Sequence, residues 1–186
     1  MGPPATPEQM DKAHQAALST QRGTEVAPSR PALGFKLDQT THADIDAWAD
    51  RAGIACKLER QTVLICKSVA PSLLGVPDVE GPVDTLSFAF DAKERLVDIT
   101  AMRIHLSPEA AVATTAAITS SLEKQLGAPH TRIGAFDTEH LSQKGVAALS
   151  SVAYRFNDYA VDVMSNQFQR DGLILREHYA SIANGS

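Results

Sequence analysis

The sequence predicts an α+β fold: two helices packed on one face of antiparallel β-sheet, in a helix-plus-meander layout that looks stated twice. Three observations predict it. Ser107 to Gly127 carries helix punctuation at both ends, strand-like segments lie on either side of it, and 186 residues with 44% hydrophobic and 21% charged content suffice for one domain with a real core. Residues 1–33 read as a leader and 34–186 as a single domain, with halves at 34–106 and 107–186.

The leader is rich in Pro, Ala, Thr and Gln, which favours a flexible tether. Thr6-Pro7-Glu8-Gln9 has the form of a capping box with proline at the first helical position. A short helix through Leu18 would follow if something packed on its thin face of Met10, Ala13, Ala17 and Leu18. Gly34-Phe35-Lys36-Leu37 opens the folded part. Thr41 and Asp44 then start a helix with Ile45, Trp48, Ala49 and Ala52 on one face, and Gly53 stops it. Trp48 plugs the helix against the sheet or, less favourably, stacks on a ligand.

Ile54 to Val69 reads as a hairpin. A loop of Arg60, Gln61 and Thr62 sets Leu58 opposite Leu64 and Cys56 opposite Cys66 on one face. A directly opposed pair lies within disulfide reach, so Cys56–Cys66 is the expected bridge, stabilising by about 2–3 kcal/mol. The bland alternative is two buried thiols in a cytosolic protein. The spacing is not CxxC, which argues against redox catalysis.

Pro71 to Pro82 is a connector whose Leu73, Leu74 and Val76 cover a core edge or form a partner site. Thr85 to Phe90 alternates with Leu86, Phe88 and Phe90 inward, Asp91 to Arg95 turns, and Leu96 to Leu106 returns with a phase slip that a bulge near Thr100 would absorb. The second helix has Ser107 as cap, Pro108 and Glu109 in its first turn, a stripe of Val112, Ala116, Thr119, Leu122 and Leu126, and Gly127 as its stop. Residues 128–150 carry Arg132, Asp137, Glu139, His140 and Lys144 without a clear pattern; a short helix between Thr138 and Leu149 is the most that can be read. Val152, Tyr154 and Phe156 then pair with Val163, Val161 and Tyr159 around Asn157-Asp158. Asp171-Gly172 turns into a closing strand, Leu173 to Tyr179.

Several function classes lose ground. A net charge of −5 with no basic run disfavours nucleic acid. No apolar run is long enough to span a membrane. MGPPATPEQ lacks the form of a signal peptide, so the chain is cytosolic or the mature part of an exported protein. His14, His42, His105, His130, His140 and His178 show no metal-ligand spacing, although His105 and His178 could meet across strands. Asp46 and Asp50 share a solvated helix face. Asp98 stands in an apolar strand; if buried it needs a partner, with Arg103 or Arg155 as candidates. No nucleophile elbow, Walker loop or dinucleotide fingerprint occurs, so no catalytic residue, metal or cofactor is assigned.

Gly34 to Ile45, GFKLDQTTHADI, resembles the opening of small periplasmic lipoprotein domains of the SmpA/OmlA outer-membrane-assembly type. Leu126-Gly127-Ala128-Pro129 is similar to their LGxP helix end, and FAFDAKERLVDI to their strands around a polar turn. In those domains LGxP closes the first helix; here it follows the second. The resemblance implies export in a Gram-negative envelope and a tethered assembly or scaffold role, and it transfers no site residues. A related tandem layout occurs in secreted inhibitors of the β-lactamase-inhibitor type.

Two functions compete. The first is a non-enzymatic, exported protein-binding or envelope-associated module, with Trp48, Leu73, Leu74, Tyr154, Tyr159 and Tyr179 as its candidate surface. The second is a small-molecule carrier or enzyme with a pocket between helix and sheet, lined by Leu86, Phe88, Phe90, Tyr154 and Phe156. A large exposed apolar patch would favour the first, a deep cavity with convergent polar groups the second.

Overall fold

The computed structural model describes residues 6–59, 62–75, 79, 81–143, 148–168 and 171–182. Arg60 and Gln61 of the expected hairpin loop, Val76 of the connector, and Lys144 and Gly145 lie outside them.

The fold is α+β, built on one antiparallel sheet. Its strands are β1 (Cys56–Glu59), β2 (Val63–Val69), β3 (Val83–Phe90), β4 (Leu96–Leu106), β5 (Thr131–Ile133), β6 (Ser150–Arg155), β7 (Tyr159–Phe168) and β8 (Gly172–Ser181). They lie in the order β1-β2-β3-β4-β8-β7-β6-β5, so two four-strand meanders join through β4 and β8. The expected two helices become four among the described residues: α1 (Pro7–Ser19), α2 (His42–Ala52), α3 (Pro108–Leu126) and α4 (Thr138–Leu141).

Local chemistry starts the helices where the sequence indicates. Thr6 with Gln9 and Thr41 with Asp44 form reciprocal capping boxes, and Ser107 accepts from the Ala110 N–H. Gly53 ends α2 at φ 66°, the left-handed conformation glycine adopts without strain. The hairpin register is as expected, with Cys56 opposite Cys66 and Leu58 opposite Leu64, and the two sulfurs are bonded. Phe156 N–H bonds to the Tyr159 carbonyl, and Val152 and Tyr154 face Val163 and Val161.

Four features depart from the sequence reading. The buried stripe of α3 is Ala111, Thr114, Thr115, Ile118, Leu122 and Leu126, while Ala116 is exposed. Alanines and threonines give the helix too little contrast between faces for spacing alone to find its inner side. The β4 irregularities lie beside Val97 and between Arg103 and Leu106, where His105 takes φ 56°, and not at Thr100. Strand β5 sits inside the unread 128–150 segment and pairs with β6. Last, residues 6–33, whose composition favours a tether, are packed against the sheet. Leu18 is buried against Ala160, Ala180 and Ile182, and Ala32 and Leu33 join the main core.

That packing uses both sides of the sheet. Ala160 and Ala180 are cross-strand partners, one residue out of phase with the inward pair Val161 and Tyr179. Helix α1 therefore lies on the outer face, opposite α2 and α3. The chain then wraps round the β6–β7 hairpin to reach the inner face. Gly23 N–H bonds to the Phe156 carbonyl, Asn157 N–H to the Glu25 carbonyl, and Ala27 N–H to the Asp158 carboxylate. A Cβ on Gly23 would stand 2.0 Å from the Arg155 carbonyl oxygen, so only glycine permits this approach.

Candidate functional site

The inner core takes its apolar residues from Leu86, Phe88, Ile99, Val161 and Val163 on the sheet and from Ile45, Ile118 and Leu122 on the helices. Trp48 is half-buried, edge-on to Phe35 at 5.1 Å and to Phe88 at 6.0 Å. Within this apolar face stand two charged residues, Arg103 and Glu177, at 1% and 0% exposure. Arg103 Nη1 donates to Glu177 Oε1 at 2.5 Å, and Tyr179 Oη donates to Glu177 Oε2 at 2.6 Å. Each carboxylate oxygen thus has a partner, as a buried charge requires. Burial, reinforced by the neighbouring carboxylate, pushes the Tyr179 phenol well above its ordinary pKa.

Above this triad the N-terminal strap leaves an opening. Residues 30–36, Leu74 and Gly75 after the 3-10 turn Pro71–Leu73, and helix α3 bound a groove of about 340 Å³. Leu33, Phe35, Leu74, Ile118 and Leu122 form its apolar wall. Arg30, Lys36, Ser121 and Gln125 add polar groups, and Glu177 and Tyr179 line the sheet side. The strap is pinned from below: Tyr159 Oη donates to the Pro31 carbonyl, and Arg30 reaches Asp38 at 2.7 Å and Ser181 at 2.8 Å while lying over the Tyr159 ring.

The residues expected to form a binding surface are placed differently. Tyr154, Tyr159, Tyr179 and Leu74 are buried, because alternation along β6, β7 and β8 turns these tyrosines inward. Leu73 alone of that set is exposed, at 41%. The pocket-lining set of Leu86, Phe88, Phe90, Tyr154 and Phe156 fills the core, and the groove is walled by the strap and α3 in its place. Tyr154 is pushed up to about 12 by burial, with Glu123 adding to the effect.

The outer face carries a second charge network. His178 Nε2 lies 2.5 Å from Asp98 and Nδ1 lies 3.7 Å from Asp162. Asp162 also holds Arg155 at 2.5 Å, and His14 of α1 stands 3.6 Å from Asp98. Burial opposes charging of His178, but the two carboxylates outweigh it and raise its pKa to about 9. The partner of Asp98 is therefore His178, not Arg103 or Arg155; Arg103 is on the inner face and Arg155 is held by Asp162. His105 does not meet His178: it lies beside Gly172, while His178 is opposite Thr100. A protonated imidazole clamped between two acids is a structural strut, not a free base.

Composition marks neither Glu177 as a core residue nor Arg103 as its partner, yet the strand period carries the signal. Period-two alternation through Leu173, Leu175 and Tyr179 carries Glu177 inward, and Ile99 and Ala101 carry Arg103 to the same face. Among the described residues, no helix is long and apolar enough to cross a membrane. No protein family, curated protein or solved structure matches this chain.

Proposed function

We propose that this protein is a non-enzymatic binding module of an oxidising compartment that holds a small ligand in the groove between the strap and α3. The observation that carries this reading is the groove itself, where an apolar wall meets polar groups anchored from the core. The Cys56–Cys66 bridge supports an oxidising location, periplasmic or secreted. Among the described residues, the exposed large apolar side chains Val26, Leu58, Leu73, Ile133 and Phe168 belong to separate elements or loops, so the groove offers the better-formed apolar surface.

Envelope association and the SmpA/OmlA likeness belong to the same reading, as does a pseudo-repeat. Supporting the repeat is the order of elements: a helix precedes four antiparallel strands in each half, with α4 inserted between β5 and β6 of the second, and the halves meet at β4 and β8.

The test is a thermal-shift screen of small molecules against the wild type and Ser121→Trp, a substitution that fills the groove from α3. A true ligand raises the Tm of the wild type and leaves the filled variant unmoved. A broad library in which no compound separates the two proteins would sink the reading.

A further inference from the structure

We infer that the groove selects a small monocarboxylate with an apolar body, bound with its carboxylate at the Lys36 and Arg30 rim. This rests on the groove reading above. Among the described residues, three acidic or basic side chains line the groove: Arg30, Lys36 and Glu177. Glu177 is fully buried and its charge is offset by Arg103, so it adds no free negative charge to the groove. Arg30 is paired with Asp38 and Ser181, and its Nε–H is enclosed by protein without a hydrogen-bond partner. Lys36 is exposed, and its ammonium makes no ion pair or hydrogen bond among the described residues. Among the described residues the rim therefore holds one uncompensated positive charge, on Lys36, with the Asp38-paired guanidinium of Arg30 on the same groove. A single carboxylate answers that charge, while a cation meets repulsion and a neutral head leaves it unpaired. Behind the rim, Leu33, Phe35, Ile118 and Leu122 offer only carbon, which suits an aliphatic or aryl body.

Trp48 supplies the readout. It is the only tryptophan, and its ring meets the edge of Phe35, which lines the groove. Full-chain protein is titrated with decanoate, 1-decanol and decylamine while Trp48 emission is followed. Decanoate is expected to shift the emission saturably, 1-decanol to bind at least about tenfold more weakly, and decylamine more weakly still. Lys36→Glu is expected to lower decanoate affinity by about tenfold or more, and Lys36→Arg to keep it near wild type. Lys36 is exposed, so both variants fold. Equal binding of decanoate and 1-decanol, or no effect of Lys36→Glu, overturns carboxylate selection and leaves an apolar groove. Decanoate binding that survives Ser121→Trp places the acid outside the groove and overturns the inference at its root. No saturable response to any of the three overturns it as well.

Discussion

The two faces of the sheet each bury a charge network, and they solve the same problem in opposite ways. On the inner face Arg103 and Glu177 are buried among apolar side chains, with a phenol bonded to the second Glu177 oxygen. On the outer face His178 sits between Asp98 and Asp162 with side-chain exposures of 12–20%, and Arg155 and His14 share the carboxylates. The inner pair cannot change its charge state without leaving a naked ion. The outer one contains a group that titrates in reach of ordinary pH. One face is fixed; the other is tunable.

The largest expected effect comes from unbalancing the inner pair. Glu177→Leu leaves the Arg103 guanidinium buried alone and should cost about 3–5 kcal/mol in urea unfolding. The double change Arg103→Met with Glu177→Leu should recover part of that loss, because two apolar groups need no partners while the Tyr179 hydroxyl loses its acceptor. A single variant as stable as the wild type would mean that water reaches the pair and that the contrast between faces is false.

The outer network should answer to pH. The folded-state pKa of His178 is raised from 6.5 to about 9, so its stabilisation is complete below about pH 6.5 and disappears as pH rises through 9. The expected loss across that window is roughly 3 kcal/mol at most, read as the pH dependence of the urea midpoint. His178→Gln should flatten the profile, whereas inner-face variants should leave its shape unchanged. A wild-type profile already flat from pH 6 to 9 would remove the outer network's distinct role.

Smaller effects locate the comparison at the sheet's margins. Reducing Cys56–Cys66 should cost about 2–3 kcal/mol and loosen the β1 edge first, seen as faster hydrogen exchange in Lys57 to Glu59. Leu18→Ala should cost about 2 kcal/mol and free α1 from the outer face, with exchange rising in residues 8–19 and little change in α3. Exchange spreading equally through both faces would show that α1 is integral to the core.

What could be read from the sequence was local. Thr41 with Asp44, and Ser107 with Pro108, act within one helical turn, and the Cys56–Cys66 register follows from a short hairpin. What stayed hidden was contact at a distance. Arg103 and Glu177 are 74 residues apart, and only the pairing of β4 with β8 brings them together. The groove was hidden for the same reason: its strap comes from a segment whose composition resembles a linker, yet Ala32 and Leu33 are buried once the sheet is present to receive them. Tyrosines, read as surface, turned inward because each strand has two sides and composition does not say which is wet.

The strap's path round the β6–β7 hairpin sets an order of events. Its anchor from Ala27 to Asp158 spans 131 residues of chain, and the surfaces it grips do not exist until the second meander has formed. The segment that leaves the ribosome before the rest of the fold is therefore the one that docks after it. Refolding should show the sheet assembling before the final locking step, with the groove created only in that step. A Gly23→Ala chain should complete the sheet and stall there, with the strap undocked.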